Sequence, residues 1–415
     1  MIEFLNVPYQ TIIAASVVPA FMHFFGVFMQ VHFEAKRYGL RGLTEDEMPR
    51  LRESLKMRWP TLIPLGLLIS ILVSGRTPYL AAFVGISSCA IVGMTTKISG
   101  NQVKNWGMLI VMHGLLMTIA FSDFGNDNST IKLVLFAVAL AVGSGAYLWA
   151  GVRGRIEAHV LVEALETGAK YALAVGAAAA TVGIVIGVVT LTGVGFKISY
   201  IITQAAQTIS AFMSGWIPAD WASLNTLTLL AALIMTGLVC ILMGCGVPTT
   251  ATYIIMVTVA APTLVGLGVE PLVAHFFVFY YGVLADITPP VALAAYAAAG
   301  MAGSDPFKTG NTAFRLGLAK ALVPFVFVFS PSLLLVAKGF TWESFIITFT
   351  GCLMGITLMA AALSKFFMVE MKRWEQLSCL FAALLMIAPS LTATLVGVVL
   401  VIPMMVNQFR RAKLA

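Results

Sequence analysis

Charge is what this 415-residue sequence has least of: Asp, Glu, Lys and Arg make up 10% of it, against 60% hydrophobic residues. A water-soluble domain carries about 25% charged residues, so a soluble surface is excluded. Cysteine is scarce as well. The five cysteines (Cys89, Cys240, Cys245, Cys352 and Cys379) mostly fall in apolar runs without C-x-x-C spacing, which indicates neither a disulfide framework nor a zinc site and leaves them as packing residues. No G-x-x-x-x-G-K-[ST], H-E-x-x-H or G-x-S-x-G occurs, so the residues for nucleotide hydrolysis and for the common hydrolases are missing. No basic n-region precedes the first apolar run and no signal peptide is expected. What is present is a series of apolar segments near the roughly 20 residues needed to cross a bilayer. The net charge of +7 sits in short loops between these segments. That is the positive-inside pattern of a multi-pass membrane protein and not a nucleic-acid face.

The chemistry concentrates between Gly237 and Gly300. An apolar run is broken at Gly244, Gly246 and Pro248 and again at Asp286, Thr288, Pro289 and Pro290, where flexible backbone and missing N–H groups interrupt a helix. Irregular backbone at membrane depth persists only where protein or a watery cavity satisfies it. A simple kink is the plainer reading, but Asp286 is an ionisable residue in an apolar stretch and so marks a functional candidate. Discontinuous helices present half-helix N-termini to anions, while free carbonyls and hydroxyls hold cations. Thr249, Thr250, Asp286 and Thr288 are the candidate side chains for substrate. The backbone at Gly244 and Gly246, with Thr249 and Asp286, forms a candidate sodium set.

Gly244-Cys-Gly-Val-Pro-Thr-Thr250, Ala274-His-Phe276, Ala285-Asp-Ile-Thr-Pro-Pro290 and the V-A-L-A-A-Y-A-A-A-G that follows resemble the large membrane subunit of TRAP (tripartite ATP-independent periplasmic) transporters. The closest likeness is to fused permeases that work with TAXI-type receptors. The likeness runs from about Val162 to Val336 and more weakly over the first 43 residues. Cys245 departs from it, since the pattern leads one to expect Met. The resemblance implies an all-α, inverted-repeat secondary transporter with re-entrant helical hairpins and about 10 to 12 membrane segments. It also implies elevator-type alternating access, sodium as coupling ion with no other cofactor, and small organic anions such as dicarboxylates as substrates. The expected partners are an extracytoplasmic receptor and a small membrane subunit or fused N-terminal region, in the inner membrane of a bacterium or archaeon. Thr192, in the T-L-T-G-V-G stretch, enters the substrate set on the same ground. An ion channel and a membrane-embedded enzyme are the alternatives from other classes.

Five regions follow in order. Residues 1–33 read as a remnant of a first repeat, because Pro19 and His32-Phe33 match Pro262 and His275-Phe276 at one offset; almost nothing precedes Val7-Pro8, so the chain is expected to be the C-terminal part of a longer permease or to begin at an internal Met. Residues 34–59 form a hydrophilic cytoplasmic block, with a capping box at Thr44-Glu-Asp-Glu47 ahead of a short amphipathic surface helix. Residues 60–160 hold scaffold spans at about 60–74, 79–96, 106–121 and 131–150. The alternation of Lys97, Lys104, Arg153 and Arg155 with the loop 123–130 places that loop outside. His113 within them reads as a helix-packing histidine before a proton relay. Residues 161–337 carry the second repeat and the site, with Lys308, Arg315 and Lys320 as loop charges before anion attractors. Residues 338–415 hold the last spans, and the apolar region 377–406 is one long crossing or two short ones around Pro389.

Overall fold

The computed structural model describes residues 1–44, 47–95, 106–121, 138, 141, 145, 158–216, 223–245, 247, 249–290, 292–387 and 391–414. The described residues are helical and contain no strand, only an isolated bridge between Phe366 and Glu370. Five of their helices are long and apolar enough to cross a membrane, and up to seven if each of two bent pairs is one span; shorter apolar helices accompany them. The chain is thus an all-α polytopic membrane protein. The loop 123–130, most of the span at 131–150, and the charges Lys97, Lys104, Arg153 and Arg155 lie outside the described residues.

The chain divides into two compact units, the first made of residues 1–7, 11–41 and 175–415 and the second of 8–10 and 42–174. It opens with a short helix, α1 (Ile2–Leu5), and the long α2 (Tyr9–Arg37). In α2 the buried stripe is Ala15, Val18, Pro19, Met22, Gly26, Gln30, Phe33 and Glu34. Phe21, Phe24, Phe28 and Val31 are exposed instead. Apart from Met22 and Phe33 the buried residues are small or polar and the exposed ones large and apolar, the order expected in lipid, where only the helix interface must be specific. Pro19 is carried within one helix, whereas the stretch around Pro262 is divided into several.

The second unit begins with half of the expected capping box. Thr44 N donates to Glu47 Oε2 at 2.8 Å, which holds the Glu47 carboxyl below its ordinary range. This closes only a turn, because Pro49 follows and disfavours helix at the residue before it; the surface helix α3 (Leu51–Arg58) starts later. Beyond it come α4 (Ile63–Val73), α5 (Pro78–Thr95) and α6 (Trp106–Phe121), packed around Ile71, Ala81, Val84, Leu109 and Leu116. His113 has both ring nitrogens occupied, by Ser88 Oγ at 2.7 Å and Leu109 O at 2.8 Å. It packs helices, as the sequence suggested.

α7 (Ala158–Thr192) leads into the first unit and bends by 71° at Gly193, which sits at φ 66°, into α8 (Val194–Ser214). α9 (Leu224–Gly244), α10 (Thr249–Val259), α11 (Ala261–Gly266) and α12 (Pro271–Ala285) follow. Next come α13 (Leu293–Ala302) and α14 (Pro306–Gly317), which pair as a hairpin. Asp305 caps the start of α14, accepting from Lys308 N at 2.7 Å, and Pro306 takes the first-turn position where no N–H is needed. A 43° bend then separates α14 from the segment ending in α15 (Val323–Phe329). In the apolar run 321–337 the helix ends at Phe329. Pro324 and Pro331 each remove a donor, and Ser330 turns away to join Ser332 and Thr348 in a buried hydroxyl cluster.

α16 (Trp342–Ser364), α17 (Arg373–Ile387) and α18 (Leu391–Ala412) finish the chain, so the region 377–406 is a helix pair. Pro389 lies outside the described residues. Close contact is made by glycine: a Cβ on Gly351 would meet Met386 O at 2.6 Å, and one on Gly397 would meet Ala382 O at 3.0 Å. The fully buried Glu375 ties the ends together, accepting from Lys372 N, Asn407, Gln408 and Arg411. Cys240, Cys352 and Cys379 are buried, and all five thiols are free.

Candidate functional site

The two interruptions meet. A Cβ on Gly244, the last residue of α9, would lie 2.6 Å from Ala285 Cβ and 2.8 Å from Thr252 Cγ2, so the ends of α9 and α12 and the first turns of α10 close on one point. Only glycine admits that approach. Across it, Thr249 Oγ1 donates to Asp286 Oδ2 at 2.7 Å. The carboxylate therefore sits at the N-terminus of α10, where unpaired N–H groups and the helix dipole favour negative charge. α12 has 15 residues, about 22 Å at the helical rise, which is short of the roughly 30 Å hydrocarbon core. α13 has 10 residues and starts only after the break.

The backbone of that break is held locally. Thr288 N donates to Ala285 O at 2.9 Å, Ala292 N to Thr288 O at 3.1 Å and Ala294 N to Asp286 O at 3.3 Å. Thr288 is buried and its hydroxyl returns to Leu284 O at 3.0 Å, so it supports the turn. Thr250 is exposed in the first turn of α10, and Asp286 and Thr249 are half-buried. Gly246 and Pro248 lie outside the described residues.

Thr192 is not brought to this point. Its hydroxyl bonds Val188 O at 2.6 Å, and a Cβ on nearby Gly195 would meet Thr258 O at 3.6 Å and Val259 Cα at 3.9 Å. That is the far end of α10, about 15 Å from Thr249 along the helix.

A third interruption, unforeseen in the sequence, adjoins the second. Between α14 and α15 the chain makes a 3-10 turn at Ala319–Leu322. Lys320 within it is buried, with its ammonium 2.9 Å from His23 Nε2 on α2. The reading of Lys320 and Arg315 as loop charges is corrected here: Arg315 bonds the Glu34 carboxylate, while Lys308 stays exposed. Gln30 fastens the same helix, donating to Arg315 O at 2.6 Å and accepting from Ala319 N at 3.2 Å. Tyr280 and Tyr281 on α12 donate to Lys320 O and Ala321 O. The sequence signal was the spacing His23, Gly26, Gln30, Glu34, a polar stripe at helical period in an apolar helix.

The family model of the tripartite ATP-independent periplasmic transporter, DctM component, matches residues 1–143 and 103–342. The chain belongs to that family. No curated protein and no solved structure matches it significantly. As a DctM-family chain it is a permease component of a TRAP transporter, and the interruptions at 245–249 and 286–290 lie within the matched residues. Among the described residues no three His, Cys, Asp or Glu side chains gather as a metal cluster.

Proposed function

We propose that this permease imports small organic anions, dicarboxylates among them, together with sodium, by alternating access in the inner membrane of a bacterium or archaeon. It takes the solute from an extracytoplasmic receptor and works with a small membrane subunit or fused N-terminal region. The observation that carries this reading is the 2.7 Å bond from Thr249 to Asp286, which joins two helix interruptions through oxygen atoms suited to a hard cation. Thr249 Oγ1 keeps lone pairs after donating its proton, and the second oxygen of Asp286 is a further acceptor. The carbonyls of Gly244 and Gly246 complete the ligand set in this reading. Thr250 and the first N–H groups of α10 take the anionic solute, with Thr288 holding the turn behind them.

Sodium-dependent uptake with the receptor in proteoliposomes tests this. Asp286→Asn and Thr249→Val should each raise the sodium concentration for half-activation about ten-fold or more, given roughly 1.5–3 kcal/mol for a charge-assisted bond. Unchanged sodium activation in both variants would remove the assignment.

A further inference from the structure

Lys320 is the least expected charge in the first unit. It is 5% exposed, and among the described residues its ammonium has no carboxylate partner, only the imidazole of His23 at 2.9 Å. Two glycines make its slot: a Cβ on Gly26 would stand 3.0 Å from Lys320 Cβ, and one on Gly317 would stand 3.4 Å from Lys320 Cε. That same Gly317 position touches the side chain of Ile287, the neighbour of Asp286. A buried lysine seated by two close backbone approaches, beside a helix interruption, is a built feature. An ionisable group in such a place serves function by default.

We propose that His23 and Lys320 form a proton site whose occupancy opposes cation binding at Thr249 and Asp286. The pair is made of two bases 2.9 Å apart. Two positive charges at that separation in a low-dielectric interior repel too strongly for both to be carried. The pair therefore has net charge one or zero, the proton residing on Lys320 as ammonium donating to neutral His23, or leaving to the aqueous phase. The other polar groups packed on it do not supply a fixed countercharge. Tyr280 and Tyr281 from α12 bond backbone carbonyls, Glu34 of α2 is taken by Arg315 of α14, and Cys352 of α16 is a buried free thiol. Asp286 is the carboxylate at the neighbouring break. A charge on Lys320 thus competes with a cation for that carboxylate's field. Across roughly 10 Å, at an effective dielectric of about 20, one unit charge changes a cation's affinity about ten-fold.

This inference rests on the proposed sodium site, and its test separates the two. The full chain in lipid nanodiscs is titrated with sodium chloride against choline chloride at constant ionic strength, and thermal stabilisation is read at about pH 6 and about pH 9.5, a span that takes in the titration of a buried amine, whose charged form burial disfavours. Wild type should bind sodium about ten-fold more weakly at the lower pH. Lys320→Met should bind tightly at both values, and Lys320→Arg, which never loses its charge, weakly at both. His23→Gln, which keeps an acceptor for the lysine, is the second variant should the Lys320 substitutions fold poorly, and it should change the midpoint of the pH dependence. Equal sodium affinity at both values in wild type, or the same pH dependence in Lys320→Met, overturns the proton site while leaving the sodium site standing. Absence of sodium stabilisation under every condition overturns both.

Discussion

Gly244→Ala is the sharpest structural perturbation of the site, because its new Cβ would lie 2.6 Å from Ala285 Cβ and 2.8 Å from Thr252 Cγ2. Neither neighbour is the end of a flexible chain, so α9 must move from α12 by about 1 Å to restore contact near 3.5–4.0 Å. Overpacking of that kind costs about 1–3 kcal/mol, and the displacement falls on the residues that carry Thr249 and Asp286. A graded series isolates the effect. Gly237→Ala meets the Tyr281 ring at 3.1 Å and Gly282→Ala meets Thr252 Cγ2 at 3.3 Å, whereas Gly300→Ala finds nothing within 4 Å. Inside a helix the change to alanine returns up to about 1 kcal/mol of propensity. The expected order of stability is Gly300→Ala above wild type, Gly282→Ala near it, Gly237→Ala below and Gly244→Ala lowest. Thermal unfolding in nanodiscs reads the order, and sodium titration reads the damage at the site. Gly244→Ala as stable as Gly300→Ala, with unaltered sodium response, would refute the convergence of the three helices.

Two other expectations concern the ends of the fold. Glu375→Ala removes a fully buried carboxylate and strands Asn407, Gln408 and Arg411; it should cost about 3 kcal/mol, near the lower end for a broken buried pair because Arg411 is partly exposed. Glu375→Gln should cost less in the same unfolding assay. At Glu47 the carboxyl is held below its unperturbed value of 4.5 by the Thr44 amide. A depressed carboxyl contributes order above its unfolded value and loses it as the pH falls through the folded one. The Thr44 amide should therefore be protected relative to its intrinsic exchange rate at neutral pH and lose that protection as the carboxyl takes up its proton in acid, with no such change in Glu47→Gln.

The sequence showed what local chemistry dictates. Long apolar runs specified membrane helices, and Gly244, Pro248, Asp286 and Pro289 marked the interruptions because no neighbour could repair those backbones. His113 was legible on local grounds too: with no acidic residue at helical spacing beside it, helix packing is its favoured role. What escaped was set by distant contact. Lys320 looks like a loop cation until His23, 297 residues away, is placed beside it. The same holds for Arg315 and Glu34. The apolar run at 321–337 is not one helix, because composition counts apolar residues and overlooks that the helix ends at Phe329, ahead of Pro331. Thr192 shares a hydroxyl-and-glycine pattern with the site, yet the 71° bend at Gly193 delivers it to the other end of α10.

The central claim is that the two interruptions form one functional site through Thr249 and Asp286. A double-mutant cycle on sodium stabilisation, with Thr249→Val, Asp286→Asn and the pair, measures it directly. Residues in one charge-assisted bond should couple by about 1.5–3 kcal/mol, so the double variant should be little worse than Asp286→Asn alone. Effects that add to within about 0.5 kcal/mol would mean that the two side chains act apart, and the site described here would not exist as one unit.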